Sequence, residues 1–185
     1  MRTSARPAFA LPRATWRETT VLLAVAWLVP FLVHLLPWSG ARPLGVYVLP
    51  VFWMTFVAVY FHGAWLGLLV GLVTPAVNLA LTGLPALNAT GSMTLEVGLF
   101  VLVAALLGAR WPGLRAAAPL AWVAAKALAI GVQVFVPALG HAGQPLVHLA
   151  RSTQNGLAGL AVLFAINALL VAFYPPADEG EARRP

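Results

Sequence analysis

Four stretches of this chain, residues 19–41, 43–95, 127–150 and 152–177, contain no Asp, Glu, Lys or Arg, and they run for 23, 53, 24 and 26 residues. About 20 apolar helical residues cross the roughly 30 Å hydrocarbon core of a bilayer, so each stretch is long enough to span one. Hydrophobic side chains make up 61% of the chain and charged ones 9%, against about 25% charged in a soluble domain. In lipid, backbone polar groups are satisfied only inside helices or closed barrels, and the alternation of a barrel strand is missing here. The sequence therefore reads as an all-α integral membrane protein in contact with the lipid bilayer.

Turn formers and isolated charges divide the chain into six expected spans, at 19–37, 47–62, 63–82, 92–109, 117–139 and 153–174. A basic segment, 1–18, precedes them and a tail, 175–185, follows. The second and third spans meet at His62-Gly63 with almost no loop, which calls for an antiparallel pair joined by a tight turn. Eight basic residues fall on one side of this arrangement (Arg2, Arg6, Arg13, Arg17, Arg110, Arg115, Arg183 and Arg184) and two, Arg42 and Arg151, on the other. The excess of Lys and Arg on cytoplasmic segments then places both termini in the cytoplasm. The expected fold is a six-transmembrane-helix bundle, multi-pass in a bacterial or archaeal plasma membrane. Its outer loops are 38–46, 83–91 and 140–152, with Thr82, Gly83, Pro85, Asn88, His141, His148 and Arg151 as lid residues.

Several chemistries are excluded by what the chain lacks. It has no Cys, hence no disulfide and no thiolate nucleophile or ligand. Its four His residues are dispersed, with no pair at metal-binding spacing, so no metal site is expected. The basic residues stand singly beside apolar runs and form no nucleic-acid patch. No phosphate-binding loop and no Ser/His, Asp/Asp or HExxH pair is present, so neither an enzyme nor a cofactor is expected.

What remains is the placement of polar residues within the spans. At 100° per residue, Gly63, Gly67, Gly71, Thr74, Asn78 and Thr82 fall on one stripe about 100° wide. Glycines four apart allow close helix packing, and plain packing with one interhelical bond from Asn78 accounts for the stripe as readily as a site does. Glu96 and Lys126 lie within spans, where a charge costs roughly 2.5 to 3.5 kcal/mol at the centre. Glu96 is expected about 6 Å below the outer surface, a solvated carboxylate or a ligand group. Lys126 shares a face with Trp122, Ala129 and Gln133, and either snorkels to the headgroups or faces a site. The expected spans separate the Glu96 and Lys126 backbones by roughly 9 to 14 Å in depth, which disfavours a direct bridge. Gln154 and Asn155 open the last span, as caps or as ligand groups, while Asn167 faces elsewhere and is expected to bond another helix. The candidate pocket is accordingly Asn78, Glu96, Trp122, Lys126, Gln133, Gln154 and Asn155.

The order of motifs in residues 33–108 adds a resemblance. The segments VHLLPWSG, LPVFW, HGAWLGLLVGLVTPAVNLALTGLPAL and MTLEVGLFVLVAALLG together resemble the substrate-binding S component of energy-coupling-factor vitamin transporters. The resemblance implies a six-helix subunit that captures a small micronutrient from outside, then associates with a transmembrane coupling subunit and two cytoplasmic ATPases. Asn78, Thr82, Gly83, Pro85 and Glu96 are the residues that carry over by motif. Lys126, Gln133 and Asn155 rest on spacing alone. The small-residue face that docking would use on the first helix is interrupted, since Leu28 stands four residues after Ala24. A non-transporting membrane scaffold of similar fold, of the rod-shape-determining type, is the alternative.

Overall fold

The computed structural model describes residues 16–40, 42–137 and 144–175; His141, most of the basic lead and most of the tail lie outside them. Among the described residues every regular element is a helix: α1 Trp16–Leu35, α2 Leu44–Val48, α3 Pro50–His62, α4 Ala64–Thr82, α5 Leu87–Arg110, α6 Ala117–Phe135, α7 Pro145–Asn155 and α8 Leu157–Phe173. Leu44–His62, Ala64–Thr82, Ala89–Arg110 and Ala117–Phe135 are long and apolar enough to cross a membrane. The α7–α8 pair makes a fifth if it is counted as one broken span, whereas Thr19–Leu35 is apolar but shorter. The described residues thus supply four or five spans where six straight ones were expected.

Three boundaries differ from expectation for physical reasons. Helix α5 begins at Leu87 rather than at residue 92, so Asn88, Thr90 and Gly91 are helical. Between Pro85 and residue 92 the one glycine is Gly91, which costs a helix only about 1 kcal/mol, and the Thr90 hydroxyl donates back to the Pro85 and Ala86 carbonyls. The outer segment 140–152 is not all loop, because Pro145 opens α7 at a position where its missing N–H is harmless. The last span is bent by 63° between α7 and α8, so Gln154 and Asn155 end one helix instead of starting another.

Helix α4 packs on α3 and on α5, and α5 on α6, and these contacts fix the register. The His62-Gly63 junction is the tight turn expected: Gly63 has φ 85° and ψ −176°, a conformation open essentially to glycine. Beyond it α4 folds back on α3, so that a Cβ at Gly67 would stand 2.3 Å from Val59 Cγ2, and one at Gly71 would stand 3.1 Å from Thr55 and 2.6 Å from Val97 of α5. The glycine stripe is therefore a packing seam between α3, α4 and α5. A second break lies at Leu49, buried, with φ 55° between α2 and α3. Gly159 of α8 sits against it, where a Cβ would come within 2.8 Å of the Val48 backbone.

The core lies between α3, α5, α6 and α8. Phe52 meets Phe100 edge-on at 5.1 Å and Trp122 edge-on at 6.3 Å, with Ala118, Ala121, Ala125 and Leu163 closing around them. Asn167 of α8 joins this core to the start of α6. Its Oδ1 accepts from the Ala118 N–H at 2.8 Å and its Nδ2 donates to the Leu114 carbonyl at 3.1 Å. That is the interhelical role the sequence assigned to it, and it satisfies backbone groups a helix start leaves open. Trp16, Trp65 and Trp111 are exposed at the end of the bundle carrying the α3–α4 and α5–α6 turns, where Arg17 and Arg110 lie over the first and last of these rings. Exposed Trp at helix ends suits the headgroup level of a membrane.

Candidate functional site

Helices α5 and α6 leave their shared turn at residues 111–116 side by side. Glu96 lies 14 residues outward from Arg110, and Lys126 nine residues outward from Ala117. At 1.5 Å per residue their backbones differ in height by only about 7 to 8 Å, a gap the two side-chain stems close. Lys126 Nζ stands 2.7 Å from Glu96 Oε1, and each side chain is 13% exposed. The direct bridge disfavoured by the expected span limits is therefore formed. The expected gap was too large because it placed Glu96 from an outer boundary at residue 92 and Lys126 from the inner one, whereas both are fixed by the shared turn.

The pair extends into a chain of hydrogen bonds. Ser92, one turn before Glu96, donates from its hydroxyl to the same Oε1 at 3.2 Å. Gln133, two turns beyond Lys126 and buried, donates from Nε2 to Ser92 Oγ at 2.8 Å. Lys126, Glu96, Ser92 and Gln133 thus form one ladder across α5 and α6. Three of these residues were candidates from the sequence. Ser92 was missed, though it opened the expected span and its spacing of four before Glu96 puts the two on one helical face.

On α4, buried Asn78 donates from Nδ2 to the Thr74 carbonyl at 3.0 Å, while its Oδ1 is buried with no hydrogen-bond partner. A buried acceptor left unsatisfied costs about 1 to 3 kcal/mol, which marks Asn78 as more than a packing residue. Thr82 ends α4 by donating to the Asn78 carbonyl and accepting from the Leu84 N–H. Gly83 follows in the left-handed region at φ 70°, and Leu84-Pro85 is a cis peptide. These residues form the short turn into α5, and Asn88 belongs to the first turn of that helix.

The remaining candidates separate. Trp122 is not a lining residue: it is 3% exposed and packed in the aromatic core, with a Cβ at Gly156 falling 3.4 Å from its ring. Helix α7 is amphipathic, its polar side formed by His148, Arg151, Ser152 and Asn155 within an arc of about 100°. Gln154 falls outside that arc and is exposed. His148 is exposed on that side. Helix α7 packs against α6. Arg42, read from the sequence only as a topology charge, belongs to the same end of the bundle and lines a hollow of about 320 Å³ with His34, Trp38 and Leu84. No group of His, Asp or Glu suited to hold a metal occurs among the described residues.

No family model, no curated protein and no solved structure matches this chain.

Proposed function

We propose that this chain is the membrane-embedded substrate-capture subunit of an energy-coupling-factor type importer, binding a small water-soluble vitamin or related micronutrient in a bacterial or archaeal plasma membrane. The observation that carries this reading is the Lys126–Glu96–Ser92–Gln133 ladder, a charged and amide-bearing seam kept partly accessible between two apolar helices. A bundle that needed only to pack would be served by apolar side chains at those positions, since a buried ion pair replaced by packed apolar residues is often neutral or stabilising. Asn78 on the adjoining α4 supplies an unsatisfied amide oxygen, and the amphipathic α7 packs against α6. With α7 and the turn from Thr82 to Pro85 as its lid, this end would face outward. The chain would then hand its cargo to a transmembrane coupling subunit driven by two cytoplasmic ATPases, a partnership that rests on the resemblance of residues 33–108. It would carry out no chemistry of its own and need no cofactor.

A second reading, the non-transporting scaffold, is favoured by one feature of the same ladder: its members satisfy one another, as helix-joining residues would. Thermal unfolding of the detergent-purified chain against a panel of vitamins and precursors separates the two. A ligand present at 100 times its Kd stabilises by about 2.7 kcal/mol. Capture is expected to give a large shift with one compound, lost in Gln133→Ala and in the paired change Glu96→Gln/Lys126→Met. A flat panel with well-folded protein would overturn it in favour of the scaffold.

A further inference from the structure

Among the described side chains Glu96 is the one carboxylate, and Lys126 holds it at 2.7 Å. Arg42, exposed in the α1–α2 connection, therefore has no carboxylate of its own among them. The connection that carries it is closed on itself by Trp38. A Cβ at Gly40 would run into the Trp38 indole ring, so glycine at that position lets the ring lie back on the chain. The indole N–H then donates to the Arg42 carbonyl at 2.7 Å, and the same ring meets Tyr47 of α2 at 5.6 Å. Local contacts thus hold both the aromatic ring and the backbone of the arginine.

What they hold is one wall of the 320 Å³ hollow, which Arg42 and Trp38 line together with His34 at the end of α1, Leu44 at the start of α2 and Leu84 in the α4–α5 turn. Ligand cavities run from about 300 to 1,000 Å³, so the hollow suits a small solute. Its walls come from two connections far apart in sequence, and an occupant would touch both. His34 keeps Nδ1 buried without a hydrogen-bond partner, while a Cβ at Gly45 would stand 3.3 Å from its Nε2. A buried polar atom with no partner is costly, and an imidazole is a poor choice for a wall that has only to pack. The guanidinium stays protonated at any physiological pH, and its planar fork matches a carboxylate or a phosphate. Beside it the indole and the two leucines offer apolar surface. A cationic solute would be repelled by Arg42, and a neutral one would leave it unmatched.

We propose that this hollow is a binding site separate from the Lys126–Glu96 ladder and takes a small solute bearing a carboxylate or phosphate on an apolar body. Arg42 pairs with the anionic group, while Trp38, Leu44 and Leu84 cover the body. The site goes beyond the capture reading and does not depend on it. Matched pairs that differ in charge test it: benzoate against benzamide, nicotinate against nicotinamide, and phenyl phosphate against phenol, at equal ionic strength. The readout is the melting temperature of the full chain in neutral detergent and in phosphatidylcholine nanodiscs. The anion of at least one pair is expected to raise it by several degrees while the neutral counterpart does not. In Arg42→Gln, an exposed change that leaves the core intact, the midpoint concentration is expected to rise at least tenfold. Trp38→Phe, which keeps a ring but removes the bond to the Arg42 carbonyl, should weaken binding as well. The paired change Glu96→Gln/Lys126→Met should leave the midpoint unmoved. If neutral counterparts stabilise as well as the anions, or if the ladder variant loses the response while Arg42→Gln keeps it, the assignment falls. It falls too if no compound stabilises, with the vitamin panel left to judge the capture reading. Stabilisation only by phosphatidylglycerol added to the nanodiscs would make Arg42 a headgroup contact and overturn the solute assignment.

Discussion

Glu96 and Lys126 lie far enough inside the bundle that neither is tolerable alone. Each is 13% exposed beside the other, and removing one partner of a buried pair costs about 3 to 5 kcal/mol because the other charge is left uncompensated. Glu96→Gln and Lys126→Met are each expected to destabilise the chain by an amount near the lower end of that range, given their residual accessibility. The double change should recover much of the loss, so a double-mutant cycle by denaturant unfolding should show strong coupling; additive losses would mean the pair does not form.

At the scale of elements, the glycines sort by what surrounds them. Gly67 faces Val59, a branched side chain that cannot move aside, and Gly159 faces the Val48 backbone at the α2–α3 break. Alanine at either is expected to overpack a helix contact and destabilise by about 1 to 3 kcal/mol. Gly131 is also helical, but nothing lies within 4 Å of where its Cβ would be. Gly131→Ala should be neutral or stabilising by up to about 1 kcal/mol. Unfolding of the three variants side by side checks the ranking, and an equal response from all three would contradict the packing described. The stripe Gly63, Gly67, Gly71 was legible because its four-residue spacing is a property of one helix. Gly159 was not, because its reason is a break in another helix more than a hundred residues away in sequence.

For the whole molecule, the distribution of charge makes a topological prediction that the absence of cysteine renders simple to check. A single cysteine at Ser39, beside the hollow near Arg42, should react with a membrane-impermeant maleimide in intact cells. One at Gly113, in the α5–α6 turn between Arg110 and Arg115, should react only after permeabilisation. The reverse pattern would invert the bundle and place the α7 end in the cytoplasm, where a capture site for an external nutrient has no use. Exposed Trp16, Trp65 and Trp111 at the Gly113 end accord with a headgroup boundary there.

The sequence by itself determined the class of fold, since uncharged runs of 23 to 53 residues leave a backbone no stable choice but helices in lipid. It also determined the turn at Gly63, the packing stripe of α4, the helix-joining role of Asn167 and the identity of the two charges that need an explanation. Those properties are local, set by periodicity within one segment or by the cost of one group in an apolar medium. Tertiary structure decided what the charges do. Whether Glu96 meets Lys126 depends on the relative height of two helices, which their shared turn at residues 111–116 fixes and an assumed outer boundary at residue 92 does not. The same holds for Trp122, whose face pointed toward a ligand until Phe52 and Phe100 closed around it. The bond from Gln133 to Ser92 likewise joins two helices, and pairings of that kind are not written in any single stretch of chain.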